Sequence, residues 1–177
     1  RELLRMAEHA EVDAVIARFE DIHPGVELFP VYQEEIVLAL HKDVLEQVCG
    51  MPAEEAKQKV VSQGIAVLGD CPFVLGTLDD IAGRIAYSVL RNAGIKPSIV
   101  ATSENMGTLL GMAQEGLGAV FCPTNILNAA FGIDDSLIQI PLSEQTKYTI
   151  SLGIPLKNEQ WTAIGALKNV LQEYSRQ

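Results

Sequence analysis

SENMGTLLGMAQEGLGAVFCP, residues Ser103 to Pro123, is the stretch whose reading decides the fold. It combines a polar entry, an apolar helical stripe (Met106, Leu109, Leu110, Ala113), two glycines (Gly116, Gly118), a short apolar run (Ala119 to Cys122) and a proline. Ser103 or Asn105 is suited to cap the helix by accepting a hydrogen bond from one of its first N–H groups. Gly116 suits the left-handed residue that ends a helix, and Gly118 permits a tight fold back into a strand. Together these make one strand-feeding helix of an α/β domain.

Upstream, SIVAT (98–102) reads as a strand, and Leu78, Ile81, Ile85 and Val89 form the apolar face of a helix closed by Gly94. Thr77 and Asp80 fit a capping box at its start, with aspartate in place of glutamate. IAVLGDCPFVLG is strand-like around Cys71-Pro72. Towards the N-terminus, residues 2 to 9 have the pattern of an amphipathic helix, Asp13 to Ala17 of a strand, and Val26 to Leu40 of a long extended segment with an edge or kink at Pro30. HKDVLEQVCGMP reads as a polar crossing and PAEEAKQKVV as a short exposed helix. Beyond Pro123 the sequence predicts a helix to about Phe131, an acidic turn at Asp134-Asp135, and strands at 137–140 and 148–154. A last helix follows, capped by Asn158, with a stripe of Trp161, Ile164, Leu167, Leu171 and Tyr174. Strand and helix alternate, which favours a mostly parallel sheet flanked by helices.

The 177 residues are 48% hydrophobic, enough for a core in one domain or two small lobes. A net charge of -10 argues against a grip on a nucleic-acid backbone, which needs a basic surface. Cys49, Cys71 and Cys122 lack zinc-knuckle or redox-pair spacing, and two lie in apolar runs, as reduced core thiols do. No apolar run approaches the roughly 18 residues of a membrane span, and the charged start has no signal-peptide core. The expected location is the cytoplasm. Because the first residues read as the end of a helix, an N-terminal part is expected to precede them.

The order of motifs resembles the effector-binding domain of LysR-type transcriptional regulators. The residues that carry the likeness are Asp13-Ala-Val-Ile16, Pro30-Val-Tyr-Gln-Glu34, Pro72-Phe-Val-Leu75, Ala93-Gly-Ile-Lys-Pro97, and Thr108 through Gly118 with Pro123. The resemblance implies an α/β, periplasmic-binding-protein-like (type 2) fold. Its two lobes each have a central mostly parallel sheet, two crossing strands form the hinge, and a small effector lies between the lobes. It also implies a homo-oligomer that acts on DNA through an N-terminal winged helix-turn-helix. That module, and the start of the first lobe, have no counterpart here. Residues 1–43 plus 137–177 are expected to be an incomplete first lobe, and 44–136 the second.

Ligands of open α/β sheets bind beyond the carboxyl ends of the strands. That rule selects Arg18, Gly76, Thr77, Thr102, Ser103, Glu104, Asn105, Phe121 and Pro123 as effector-binding candidates. Free N–H groups at helix starts favour anions, and Arg18 is the one cation of the set, so a small carboxylate is the expected effector. Thr77 and Ser103 are equally explained as helix caps, Arg18 as a solvated surface residue, and Asp79 and Asp80 would repel an anion.

Nothing points to catalysis. His9, His23 and His41 are scattered without metal-ligand spacing, and Ser88 and Ser103 lack a nucleophile elbow. Glu34 and Glu35 adjoin on a strand and so face opposite ways. No phosphate-binding loop or dinucleotide fingerprint is present, and no cofactor is expected. The function expected is a ligand sensor. A transport solute-binding protein or an enzyme such as a dehydratase on the same scaffold are the alternatives.

Overall fold

A computed structural model describes residues 2–9, 11–19, 24–129, 136–143, 146–158 and 160–174. His23, the acidic turn at Asp134-Asp135 and the end of the helix expected to reach Phe131 lie outside the described residues. The chain divides into two compact units, residues 1–34 with 147–177, and residues 35–146.

In the first unit, α1 (Glu2–Glu8) precedes β1 (Val15–Arg18), which pairs antiparallel with β7 (Lys147–Pro155). On its other side β7 meets β2 (Val26–His41), whose first half belongs to this unit. Apolar residues of α7 (Thr162–Tyr174), namely Ile164, Leu167 and Leu171, pack on Val31, Leu152 and Ile154. Lys168 fixes the helix to β2 through a 2.8 Å ion pair with Glu27. Trp161, expected in the apolar stripe, is half exposed because it precedes the first helical residue. Asn158 is buried in a short 3-10 turn, where its amide donates to Asp13 Oδ1 at 3.2 Å.

The second unit begins where β2 becomes buried on both faces, from Ile36 to Leu40. This half is central: β5 (Val120–Pro123) and β6 (Leu137–Ile140) both pair with it antiparallel, so that Leu38 faces Phe121 and Ile140. These ladders hold 36–41 and 137–140 in this unit. Pro30 sits exposed within β2 without interrupting it.

The polar crossing HKDVLEQVCGMP contains a helix, α2 (Lys42–Cys49). Leu45 is its single buried anchor, His41 Nδ1 accepts from Asp43 N at the start, and Gly50 at φ 65° ends it. Val44, Leu45, Val48 and Cys49 recur at helical spacing on one face, so the stretch carries a helical pattern as well as its caps. α3 (Ala53–Gln63) follows Pro52 and buries Ala56 and Val60. Residues 65–68 are then a 3-10 turn, and only β3 (Pro72–Leu75) is strand.

β3 pairs in parallel with β4 (Ser98–Thr102), and Phe73 makes a parallel bridge to Ala119 at the root of β5. β3 pairs in parallel with β4 and bridges in parallel to residue 119, whereas the β1–β7, β2–β5 and β2–β6 ladders are antiparallel. The alternation of strand and helix could not reveal this, since the long β2 runs against its neighbours β5 and β6. α4 (Ile81–Asn92) and α5 (Met106–Gln114) connect the parallel strands, and α6 (Thr124–Ala129) follows β5. Leu109, Leu110 and Ala113 of α5 pack with Val37, Val74, Val120, Cys122 and Leu127 in the core.

Both connecting helices end in the same device. Gly94 (φ 68°) and Gly116 (φ 75°) are left-handed, Ile95 N donates to Leu90 O at 2.9 Å, and Leu117 N donates to Met112 O at 3.0 Å. These are the 6→1 bonds that satisfy helix-end carbonyls. After the second, Gly118 brings the chain against β3: Ala119 N donates to Pro72 O at 2.8 Å and Val74 N to Ala119 O at 3.0 Å.

Candidate functional site

The parallel pairing of β3 with β4 sets Leu75 beside Thr102, and Ser103 N donates to Leu75 O at 3.2 Å. The turns that leave these two strands are therefore neighbours, which brings together Gly76, Thr77 and Thr102 to Asn105. Thr102, Glu104 and Asn105 are exposed there, Thr77 is half-buried and Gly76 is buried.

The expected capping box is corrected by the geometry. α4 starts at Ile81, and its cap is Asp80, whose Oδ1 accepts from Ala82 N at 2.5 Å and from Gly83 N at 3.4 Å. Thr77 does not cap it. Its carbonyl instead rests on Gly83, and Asp80 folds over Gly76, where a Cβ would lie 2.6 Å from Asp80 Oδ2. The buried face is Ala82, Ile85, Ala86 and Leu90, one step round from the expected stripe, and Leu78 is 59% exposed. An aspartate already occupies the N–H groups of this helix start, so an anion has no claim on them.

At α5 the cap is Asn105, whose Oδ1 accepts from Thr108 N at 2.9 Å, while Ser103 Oγ accepts from Asn105 N at 3.1 Å. Ser103 retains its own hydroxyl proton for donation. Phe121 and Pro123 are buried in the strand ladder. Phe121 stacks on Phe73 with ring centroids 6.2 Å apart, so its ring belongs to the core.

Arg18 belongs to the first unit, where it faces Ile150 across the β1–β7 ladder. The diagonal neighbour two residues along the partner strand is on the same face, and here it is Tyr148. The guanidinium lies 5.4 Å from the centre of that ring, a cation–π contact. Arg18 lines a pocket of about 380 Å³ with Phe19, Leu28, Lys147, Tyr148 and Ser151. Phe19 is held in place by Gly153, where a Cβ would come within 2.5 Å of its ring. Alternation along β7 sets Tyr148 on the face of Arg18 and sets Lys147 and Ser151 on the other, and the two cations among the residues lining so small a volume suit a compact anion. Lys147, Tyr148 and Ser151 were not singled out from sequence. Their strand was recognisable, but nothing local signals that it pairs with β1.

Among the described residues, no group of three His, Cys, Asp or Glu could hold a metal ion, and no helix is long and apolar enough to cross a membrane. Cys71 and Cys122 are buried, and Cys49 is half-buried. Burial pushes the Cys71 thiol up to about 12 from 9.0. A thiol whose folded value is raised stabilises the fold below its unfolded value and loses that contribution as pH rises from 9.0 through about 12. Relative to Cys71→Ala, the wild-type unfolding free energy should therefore fall by roughly 2 kcal/mol between pH 8 and 10.5 in urea titrations. A constant difference would contradict the burial.

The family model for the LysR substrate binding domain matches residues 1–176, and the chain belongs to that family. Its fold is the mixed α/β, periplasmic-binding-protein-like fold of these regulatory domains. Similar solved structures include the CcmR regulatory domain of Synechocystis PCC6803 in complex with 2-PG, with a TM-score of 0.72 at 10% identity over 98% of this chain and 78% of that one. The reduced OxyR regulatory domain of Pseudomonas aeruginosa gives 0.70 at 17% identity over 98% and 79%. The QuiR effector binding domain in complex with shikimate gives 0.64 at 14% identity over 99% and 77%. No curated protein sequence matches the chain.

Proposed function

We propose that this chain is the ligand-sensing part of a LysR-type transcriptional regulator and that its effector is a small carboxylate or comparable anion. The observation that carries the proposal is that Arg18 and Lys147, both cations, are among the residues that line one small pocket. A volume of about 380 Å³ is near the lower end for ligand sites, which favours a compact metabolite. Within the second unit, the neighbouring turns that hold Thr77, Thr102, Ser103, Glu104 and Asn105 are a further cluster of polar groups. Domains of the same fold, those of CcmR and QuiR, were solved with 2-PG and shikimate.

On this reading the domain performs no chemistry and needs no cofactor. Effector binding favours one of its conformations, and the shift reaches DNA through a winged helix-turn-helix of the same regulator, in the cytoplasm. Self-association is supported by β4, a sheet-edge strand on which Ile99 and Val100 are 41% and 52% exposed.

A thermal-shift panel of small carboxylates, each paired with its methyl ester, tests the ligand class. At about 100 times its dissociation constant, a ligand adds roughly 2.7 kcal/mol, or about 5–10 °C in a chain of this size. At least one acid should raise the midpoint by that much, and its ester should not. Esters that stabilise as well as the acids would remove the case for an anion.

A further inference from the structure

The second unit carries a larger concavity, about 750 Å³, that meets the strand-end turns only at Leu78. Its long wall is one face of α4, where Arg84, Tyr87, Ser88 and Arg91 recur at helical spacing. Leu78 closes one end, and Ile95, Lys96 and Pro97 close the other. The floor is apolar and the rim is cationic. Among the described residues that line it none is acidic, although the chain as a whole carries 23 Asp and Glu against 13 Lys and Arg.

Both ends of this groove are held by the backbone. Arg84 Nη1 donates to Leu78 O at 3.5 Å and to Asp79 O at 3.3 Å, which pins the turn bearing Leu78. At the far end, Gly94 N donates to Arg91 O at 3.0 Å, Ile95 N donates to Leu90 O at 2.9 Å, and the Gly94 φ of 68° fixes the path into Ile95-Lys96-Pro97. Asp80, the acid that caps α4, has its carboxylate turned onto Ala82 N and Gly83 N. A preformed cavity with an apolar floor and a few charged groups of one sign is the usual form of a small-molecule site. The apolar floor distinguishes it from the compact polar pocket at Arg18, which suits a smaller and more polar anion.

We infer that the α4 groove is a second ligand site, one that takes an amphipathic carboxylate, with its alkyl or aryl body on Leu78, Tyr87 and Ile95 and its carboxylate at Arg91 and Lys96. The occupant would brace Leu78 against α4, and Leu78 follows directly on Thr77 at the end of β3. The site thereby touches the turn that contributes polar groups to the proposed sensor.

Octanoate and the uncharged octan-1-ol are the probes, titrated into the whole chain and followed by amide chemical shifts. Octanoate should give saturable shifts centred on residues 84–91 and 95–96, at least tenfold stronger in affinity than octan-1-ol. The Arg91→Glu, Lys96→Glu double variant, which alters two exposed side chains, should keep the wild-type spectrum and weaken octanoate at least tenfold. Ser88→Trp, which fills the groove from its wall, should abolish binding, and Arg18→Ala should leave it unchanged, which separates this site from the proposed effector pocket. Equal binding of the alcohol, octanoate shifts scattered over the chain or none at all, or an unweakened double variant would overturn the inference. So would the same amides shifting with protein concentration alone, which would make the groove a contact between copies of the chain.

Discussion

Gly83→Ala is expected to destabilise the 35–146 unit by about 4 kcal/mol, a large share of the stability of an ordinary domain. A Cβ at Gly83 would overlap Thr77 O and lie 2.8 Å from Thr77 C and 3.1 Å from Gly76 C. All three are backbone atoms, so no side chain can swing aside to make room. Relief would require α4 to move off the 76–80 turn, breaking the Asp80 cap on Ala82 N and Gly83 N and lifting Ile85, Ala86 and Leu90 out of the core. Overpacking alone costs about 1–3 kcal/mol, and loss of a cap adds about 1. Gly111→Ala is the matched control, because it lies within α5, is exposed, and would have nothing within 4 Å of its new methyl group. That substitution should be neutral or stabilising by up to about 1 kcal/mol. Urea midpoints of the two variants, compared with wild type, should move in opposite directions or differ by several kcal/mol.

Gly118→Ala should cost about 3 kcal/mol for a related reason. Its Cβ would sit 2.8 Å from Pro72 O and 2.9 Å from Pro72 C, where Ala119 N and Pro72 O share a hydrogen bond. Pushing these apart weakens the bridge from Phe73 to Ala119 by which β3 meets the root of β5. Gly116→Ala should cost less, about 1 kcal/mol, because only its left-handed backbone is at stake and the nearest neighbour of a Cβ is Val44 Cγ2 at 3.6 Å. Chemical denaturation of both variants tests the order. If Gly116→Ala proved the worse of the two, close approach would not be the reason for Gly118.

This pair of glycines shows what a sequence can carry. The stretch from Ser103 to Pro123 announced its own structure because every signal in it is local: the cap at Asn105, the apolar stripe, the left-handed Gly116 and the apolar run of β5. The family was legible for the same reason. Where the outcome depended on contacts between distant segments, local pattern failed. Thr77 and Asp80 had capping-box spacing, yet Gly76 and Gly83 let Asp80 take the cap alone. α2 was legible in the stripe of Val44, Leu45, Val48 and Cys49, but its brevity and its charged flanks made it read as a connection. Arg18 could be chosen from its place at a strand end, but its partners Lys147, Tyr148 and Ser151 arrive through the β1–β7 ladder, which joins opposite ends of the sequence.

The central claim is that the first unit holds the anionic group of an effector at Arg18. Isothermal titration of the best acid from the panel into wild type and Arg18→Ala measures it directly. An ionic hydrogen bond of about 1.5–3 kcal/mol corresponds to roughly a 10- to 100-fold loss of affinity in the variant. That loss is the predicted result, with the wild-type unfolding midpoint in the absence of ligand retained. Equal affinities in the two proteins would contradict the claim.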